Sequence, residues 1–286
     1  MSEFPRTIVG GQSLSRMIIG SNWFLGWSHT TAAKDSFIRD EIRQRKRIAD
    51  ILEVYFRAGI DTIMGFIAND VLYEAIQDVQ DRTGRKAIVV STPSLPVTPE
   101  VPAQGFDLAA VAPILDMEAE RGATFCMPHQ NTTDALLDRC TREIRHMDQI
   151  SALIRERGLI PGLSTHMPET PVYADETGLD VETYIQIYNS MGFLMQIEVD
   201  WVAQVIRNAK KPVMTIKPMA AGQLRPFQGL TFVWNTIRPQ DMVTVGTMTP
   251  LEAQECIDLS LQILEGQQTN ITLQETRSKS SVKTKA

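Results

Sequence analysis

The stretch FLMQIEVDWVAQVIRNAKKPVMTIKPMAAG, residues 193–222, decides the fold prediction. It predicts a strand, a short helix and a second strand. In the first strand, Gln196 and Glu198 alternate with apolar residues, so that one face is polar and the other apolar. In the second strand, Lys217 shares a face with Thr215. Both strands bring polar groups to their C-terminal ends, which form the active face of an α/β barrel.

The same alternation of strand and helix extends along the chain on both sides of this stretch. Strands are predicted at 16–24, 61–66, 86–94, 123–131, 160–166, 193–199, 212–217 and 241–247. Helices are predicted at 37–58, 69–84, 107–121, 134–157, 181–190, 201–209, 225–237 and 249–266. Eight of each in about 250 residues is the rhythm of a single (β/α)8 TIM barrel, an α/β fold.

Residues 1–266 are therefore predicted to form the barrel, and residues 267–286 a polar, disordered tail. The alternative is an open, doubly wound sheet that binds a dinucleotide. Its G-x-G-x-x-G fingerprint belongs after the first strand, but that segment reads GSNWFLG. The sequence favours the barrel.

Composition limits the classes of function. The chain has 286 residues, 43% of them apolar, and a net charge of −6, which argues against a nucleic-acid partner. No apolar run is long enough to span a membrane, and the N-terminus does not resemble a signal peptide. Three cysteines without a C-x-x-C pair favour a reducing, cytoplasmic location. A small-molecule substrate is expected, and the oligomeric state cannot be read.

Polar side chains gather at the predicted strand ends, where a barrel has its active site. We single out His129, His166, Glu198 and Lys217 as candidate catalytic residues. Lys217 has three interpretations: an ion pair with Glu198, binding of an anionic substrate, or formation of a Schiff base if burial lowers its pKa. Two imidazoles and the carboxylate also suit a divalent metal, but no tight motif such as H-E-x-x-H supports a metal site.

The segment VGTMTPLEA, residues 245–253, joins the last strand to the last helix. A glycine before a helix N-terminus exposes backbone N–H groups, which favour an anion and often phosphate. The alternative is a helix start that is capped by its own side chains and needs no ligand. The sequence leaves both open.

Several segments, taken in order, resemble the aldo/keto reductases. They are LSRMIIGSNWF, AGIDTIMGF, CMPHQNTTDALLD, GLIPGLSTHMPE, MQIEVD, IKPMAAGQL and VGTMTPLEAQE. The resemblance implies hydride transfer from NAD(P)H, and hence NAD as a cofactor, to a carbonyl compound. It matches the family's active-site histidine with His129 and its nicotinamide contacts with Ser164 and Gln196. It places the cofactor phosphate near Gly246 and Thr247.

The chain departs from the family at the catalytic positions. The family's aspartate is matched by Met64, its lysine by Thr92, and its tyrosine by no residue at the expected distance. Glu252 falls near the arginine that many members use for the 2′-phosphate, and a carboxylate repels that group. The general acid of the reduction is thus missing.

Three functions remain open on these observations. The first is isomerase, aldolase or lyase chemistry on a small hydroxylated carbonyl or sugar-like compound. The second is a divergent NAD-dependent oxidoreductase that uses His129. The third is a non-catalytic barrel that binds a ligand, because fold alone is a weak guide to function.

Overall fold

The computed structural model describes residues 3–96 and 107–269, together with residues 279 and 282. Most of the predicted tail, 267–286, lies outside the described residues, as does part of the proline-rich loop 93–105. Within the described residues, no helix is long and apolar enough to cross a membrane.

A closed ring of parallel strands forms the centre of the molecule and confirms the predicted TIM barrel. The strands are β1 (Arg6–Val9), β2 (Gln12–Ser15), β3 (Met17–Gly20), β4 (Thr62–Gly65), β5 (Ile88–Ser91), β6 (Phe125–Cys126), β7 (Leu137–Asp138), β8 (Glu143–Ile144), β9 (Ile160–Pro161), β10 (Leu163–Ser164), β11 (Tyr184–Ile187), β12 (Val213–Ile216) and β13 (Met242–Val245). The ring contains nine of these strands, in the order β10-β11-β12-β13-β3-β4-β5-β6-β9, while β1–β2 and β7–β8 form two separate antiparallel pairs. Since β9 pairs with β6 and β10 with β11, these two short strands are halves of one barrel strand, interrupted at Gly162.

Helices surround the ring. They are α1 (Asn22–Leu25), α2 (Ala32–Phe37), α3 (Arg45–Arg57), α4 (Asp70–Thr83), α5 (Leu108–Glu120), α6 (Gln130–Thr133), α7 (Met147–Glu156), α8 (Glu169–Thr177), α9 (Val199–Asn208), α10 (Pro226–Thr236) and α11 (Pro250–Leu264). A π-helical turn covers Ile38–Ile42 and a 3₁₀ turn covers Ala220–Gly222. Along each strand, alternate side chains face the helices or the barrel interior.

Two apolar clusters result from this alternation. The larger one packs the strands against the helices and contains Tyr55, Ile63 and Val213. The smaller one fills the barrel interior with side chains such as Met64 and Met214. The antiparallel hairpin β1–β2 precedes the first barrel strand and adds Val9 and Leu14, both buried, to this interior cluster. The hairpin therefore closes the N-terminal end of the barrel, and the opposite end remains available for a site.

The predicted strand 193–199 and helix 181–190 are wrong. The sixth barrel strand is β11, within the stretch predicted as a helix, and residues 193–198 form turns before α9. The alternating polar residues of the predicted strand lead into a helix start, where Glu198 is the N-cap residue. All four residues of β11 are buried, and its tyrosine and isoleucines have a high strand propensity. The predicted total of eight barrel strands is still correct. The helix and strand of this repeat lie earlier in the chain than predicted: α8 occupies a stretch predicted as a loop, and β11 follows it.

Two predicted long helices are broken. The helix predicted at 37–58 is a π-helical turn followed by α3, and Gln44 between them is extended. The helix predicted at 134–157 is replaced by the hairpin β7–β8 and the shorter α7. In that hairpin the Asp138 carboxylate accepts hydrogen bonds from the backbone N–H groups of Cys140 and Thr141. Such side-chain bonds to the local backbone compete with a helix.

Candidate active site

A cavity of about 830 Å³ opens at the C-terminal ends of the barrel strands. Its walls come from strand ends, from the residues that follow β12, and from the segment between β3 and α3. We call residues 22–43 of that segment the β3–α3 segment; it contributes His29 and Lys34 to the wall. The position is the active face predicted for a barrel.

Lys217 lies at the cavity wall, directly after β12. Its φ of +60° is in the left-handed region, which ends the strand alternation and is uncommon for a residue with a side chain. Burial lowers the pKa of Lys217 from 10.5 to about 8. Within the described residues, no carboxylate forms an ion pair with its amine. The cavity therefore holds an amine whose charge changes close to neutral pH.

His129 lies at the wall as the N-cap residue of α6. Its Nδ1 is 2.9 Å from Oδ1 of Asn131, and its ring lies 5.1 Å from the ring of Phe66. Nδ1 also lies 3.4 Å from the backbone nitrogen of Asn131, but the shorter contact to the side-chain oxygen favours a proton on Nδ1 and an Nε2 lone pair that can accept a hydrogen bond. Burial, partly offset by the Asn131 bond and reinforced by Lys217, lowers the pKa of His129. The imidazole is therefore neutral at pH 7.

Two further histidines line the same cavity. His166 follows β10, and its backbone N–H donates to Asp134 at 3.1 Å, which fixes its position. Burial, and then the charge of Lys217, lowers the pKa of His166 to about 3. His29 is the most exposed of the three, and burial followed by the charge of Lys217 again lowers its pKa. Because the same amine acts on all three imidazoles, the four side chains form one cluster.

Of the eight residues predicted for the site, six line the cavity: His129, His166, Lys217, Ser164, Gly246 and Thr247. Glu198 and Gln196 do not, because the strand predicted to carry them does not exist, and both are exposed. The ion pair between Lys217 and Glu198, one of the three interpretations of the lysine, is absent from the described structure. Likewise, the described residues contain no group of three ligands that could hold a metal.

Side chains at the start of α11 bond two of the backbone N–H groups there. Thr249 accepts from the N–H of Glu252 at 3.1 Å, and the Glu252 carboxylate accepts from the N–H of Met248 at 2.7 Å. The first bond is an N-cap of α11, and the second ties down the residue just before the cap. Of the two interpretations left open by the sequence, the structure shows the capped helix start, with a carboxylate where an anion would bind.

The strand ends that depart from the reductase pattern also face the cavity. Met64 and Thr92 line it at the positions matched with the family's aspartate and lysine. Nearby Ser91 donates to the buried carboxyl of Glu118, so its hydroxyl is engaged away from the cavity. Basic side chains reach the cavity instead from Lys217, across the ring from β5, and from Lys34 and Arg225.

Sequence reasoning missed His29. It lies beyond a strand end in the β3–α3 segment, so a search restricted to strand ends cannot find it. Two signals could have identified it: the unusual length of the connection after the first barrel strand, and the concentration of polar residues there. Its φ of +57° is a further mark of a constrained position.

Comparisons with known proteins agree on the fold. No family model matches the chain, and no curated protein matches it. A Pseudomonas aeruginosa protein provisionally assigned as an aldo-keto reductase matches with a TM-score of 0.64 and 20% identity, over 91% of this chain and 95% of that one. An aldo/keto reductase from Brucella melitensis matches with a TM-score of 0.60 and 12% identity, over 93% and 98%. An aldo-keto reductase from a deep-sea metagenome library matches with a TM-score of 0.58 and 10% identity, over 94% and 97%.

Each of these structures aligns with more than nine tenths of this chain. Sequence identities of 10–20% support a shared fold and nothing further. The order of the reductase-like motifs along the sequence agrees with that match. The chain therefore has the (β/α)8 barrel fold that these aldo-keto reductase structures share.

Proposed function

We propose that this barrel is an enzyme that transfers protons on a small, polar, hydroxylated carbonyl compound, as isomerases and lyases do, without transferring a hydride. One observation carries the proposal: the amine of Lys217 shares a cavity with three neutral imidazoles and has no carboxylate partner in the described structure. Acid–base catalysis is most effective when the pKa of the group lies near the working pH. A pKa of about 8 meets that condition.

The lysine and the histidines of the cluster have different roles, because only the lysine changes its charge near neutral pH. Lys217 is the group that gains and loses a proton near neutral pH, while the low pKa of His166, about 3, makes that ring a poor base. Neutral imidazoles can still donate hydrogen bonds to a carbonyl oxygen or accept them from a hydroxyl. His129, with Nδ1–H engaged by Asn131, presents an acceptor to the cavity. This mixture of donors and acceptors favours a hydroxylated substrate.

A nicotinamide cofactor was implied by the family resemblance, and its phosphate end is a poor fit here. The Glu252 carboxylate takes the Met248 N–H at the start of α11 and adds negative charge. Trp23 packs on Gly246 so closely that a Cβ there would lie 2.7 Å from its ring. These contacts take up the N–H groups of Met248 and Glu252 and crowd Gly246, which disfavours a phosphate at this helix start. The proposed reaction therefore uses no NAD.

Proton transfer can be tested by hydrogen exchange in D2O. Purified protein is incubated with glycolaldehyde, dihydroxyacetone and glyceraldehyde, without nicotinamide, and loss of the C–H signal next to the carbonyl is followed by proton NMR. We expect faster exchange than in the buffer blank and loss of that acceleration in Lys217→Met. Glu198→Gln is the matched control, because Glu198 lies outside the cavity, and it should exchange at the wild-type rate.

The alternative is a divergent NAD-dependent oxidoreductase, which the retained Ser164 at the cavity favours. Titration with NADH, followed by the fluorescence of Trp23 at the cavity wall, separates the two functions. Saturable binding with turnover of a carbonyl substrate, and no exchange in its absence, would replace the proposal by hydride transfer. Ligand binding with neither exchange nor reduction would identify a non-catalytic barrel.

A further inference from the structure

We infer that Lys217 acts covalently: its amine attacks the carbonyl carbon of a small aldehyde or ketone and forms an imine within the cavity. This inference rests on the proposed function and specifies how the lysine takes part. Three features of the structure carry it, namely an amine without an ionic partner, a constrained backbone that presents it, and neighbouring groups that can move the protons.

The amine is free to react. Elsewhere in the described structure, lysines at the surface pair with carboxylates, as Lys46 does with Asp50 at 2.9 Å and Lys211 with Glu182 at 3.9 Å. Lys217 has no such bond, although it is the more buried side chain. A buried charge that is neither paired nor hydrogen-bonded is costly, so the cavity favours the neutral, nucleophilic form of the amine.

The backbone that presents the amine is held in an unfavourable conformation. Lys217 precedes Pro218, where left-handed φ is unusual, and Ala220 and Ala221 also have positive φ, at +48° and +55°. The turn is fixed from outside by α10: a Cβ on Gly229 would lie 2.6 Å from the carbonyl oxygen of Pro218. Strain that the surroundings enforce in this way concentrates at functional sites.

The chemistry needs no further reagent. The nitrogen lone pair attacks the carbonyl carbon, and the C=O π electrons move to oxygen, which takes up a proton. The nitrogen loses two protons in all: the first balances the proton already on the oxygen, and the second passes to the hydroxyl as the nitrogen lone pair expels it. The C–O bond breaks and water leaves, so amine and carbonyl become imine and water. Protonated, the imine withdraws electrons from the neighbouring carbon. A C–H bond there breaks, its proton passes to Nε2 of His129, and its electrons form the C=C bond of an enamine.

The cavity has room for this sequence and supplies the groups. At about 830 Å³ it exceeds what a compound of a few carbon atoms occupies. The pKa values of His166 and His29 are lowered, so both rings are neutral at pH 7. Neither ring therefore adds a positive charge that would repel the iminium ion. The hydroxyl of Ser164 also lies at the wall and can bond the leaving oxygen.

The test is reductive trapping with a named probe. The full chain is incubated at pH 7 with glycolaldehyde and sodium cyanoborohydride, which reduces imines to stable secondary amines, and the labelled lysines are located by peptide mass spectrometry. Lys86, which is exposed and forms no ion pair among the described residues, serves as the internal standard. We expect Lys217 to be labelled about tenfold faster or more, because a pKa of about 8 leaves far more free amine than an ordinary lysine has.

Raising the pH should increase labelling at Lys217 and level off above about pH 8, once the amine is neutral. Lys217→Met should lose this label and keep the Lys86 label. Equal or slower labelling at Lys217 than at Lys86 would overturn the inference. Deuterium exchange that proceeds without trapping at Lys217 would leave the proposed proton transfer standing with a non-covalent lysine. Trapping without exchange would leave the imine standing and remove the proposed catalysis.

Discussion

At the residue scale, the cavity carries an energetic cost at Lys217. Burial lowers its pKa, so the folded chain holds the proton less tightly than the unfolded chain does. Proteins retain such groups where activity needs them, at the expense of stability. The stability of variants at this position therefore reports on the site independently of any substrate.

Replacing Lys217 by methionine should stabilise the protein at neutral pH. The folded pKa of about 8 lies below the ordinary value of 10.5, so the cost is complete below pH 8 and is relieved as the pH rises from 8 to 10.5. We expect Lys217→Met to raise the free energy of unfolding at pH 7 by up to about 3 kcal/mol. The gain should shrink towards pH 10. Urea unfolding at both pH values measures it, with Lys86→Met as the control; a less stable variant at pH 7 would contradict the prediction.

Three of the four clustered residues were candidates from the sequence, and the structure brings all three to the cavity. Lys217, His129 and His166 follow strands whose C-terminal ends could be recognised, so their convergence follows from the fold. Glu198 was misplaced because alternation of polar and apolar residues over a few positions also occurs where a turn leads into a helix. His29 was missed because its position depends on the path of a long connection, which no short-range pattern encodes.

At the element scale, the close approach of β4 to the end of β3 depends on a glycine. A Cβ on Gly65 would lie 1.8 Å from Oγ of Ser21 and 2.6 Å from its Cβ. The backbone N–H of Ser21 donates to the carbonyl of Met64 at 3.1 Å, so the two segments cannot separate without losing that bond. The glycine therefore sets the spacing of two cavity-lining segments.

Gly65→Ala should destabilise the protein by about 2 kcal/mol or more, because the new methyl group overlaps Ser21. Adding Ser21→Gly removes both overlapping atoms, and most of the loss should return. Thermal or urea unfolding of the two single variants and the double variant measures the coupling. If the two effects simply add, the contact is not the cause.

The elements that the sequence predicted well are those with strong boundary signals. Helix α11 begins after Thr249 with proline at its first position, as predicted, and β13 lies within its predicted range. The sixth barrel strand was not predicted because β11 has only four residues and is buried on both faces, so it lacks the polar–apolar period that distinguishes a strand from a helix. The hairpin β7–β8 was not predicted from the sequence, because Asp138 stabilises its turn through hydrogen bonds that depend on the folded geometry.

At the scale of the whole molecule, the barrel is closed at one end and open at the other. The hairpin β1–β2 seals the N-terminal end, where Leu14 is fully buried in the interior cluster. Polar groups at the opposite end are thus mounted on a packed apolar base. The fold class was predictable because eight repeats of strand and helix tolerate an error in any one of them.

Leu14→Ala should lower the free energy of unfolding by about 2–5 kcal/mol, because it leaves a void in the barrel interior. Ile8 lies on the same hairpin but is 62% exposed, so Ile8→Ala should cost less than about 1 kcal/mol. Chemical unfolding of the two variants compares the free energy lost at a buried and at an exposed position of the same hairpin. Equal effects would mean that the hairpin does not seal the barrel through Leu14.

The seam that closes the ring joins β3 to β13, from opposite ends of the described chain. During synthesis β3 emerges first, with Met17, Ile18 and Ile19 all destined for burial, and its partner on one side follows roughly 225 residues later. At ribosomal rates of about 5–20 residues per second, that edge waits for roughly 10–45 s. An unpaired apolar strand edge is a template for association with other chains. The nascent polypeptide therefore carries this exposed strand edge until nearly all of the barrel has been synthesised.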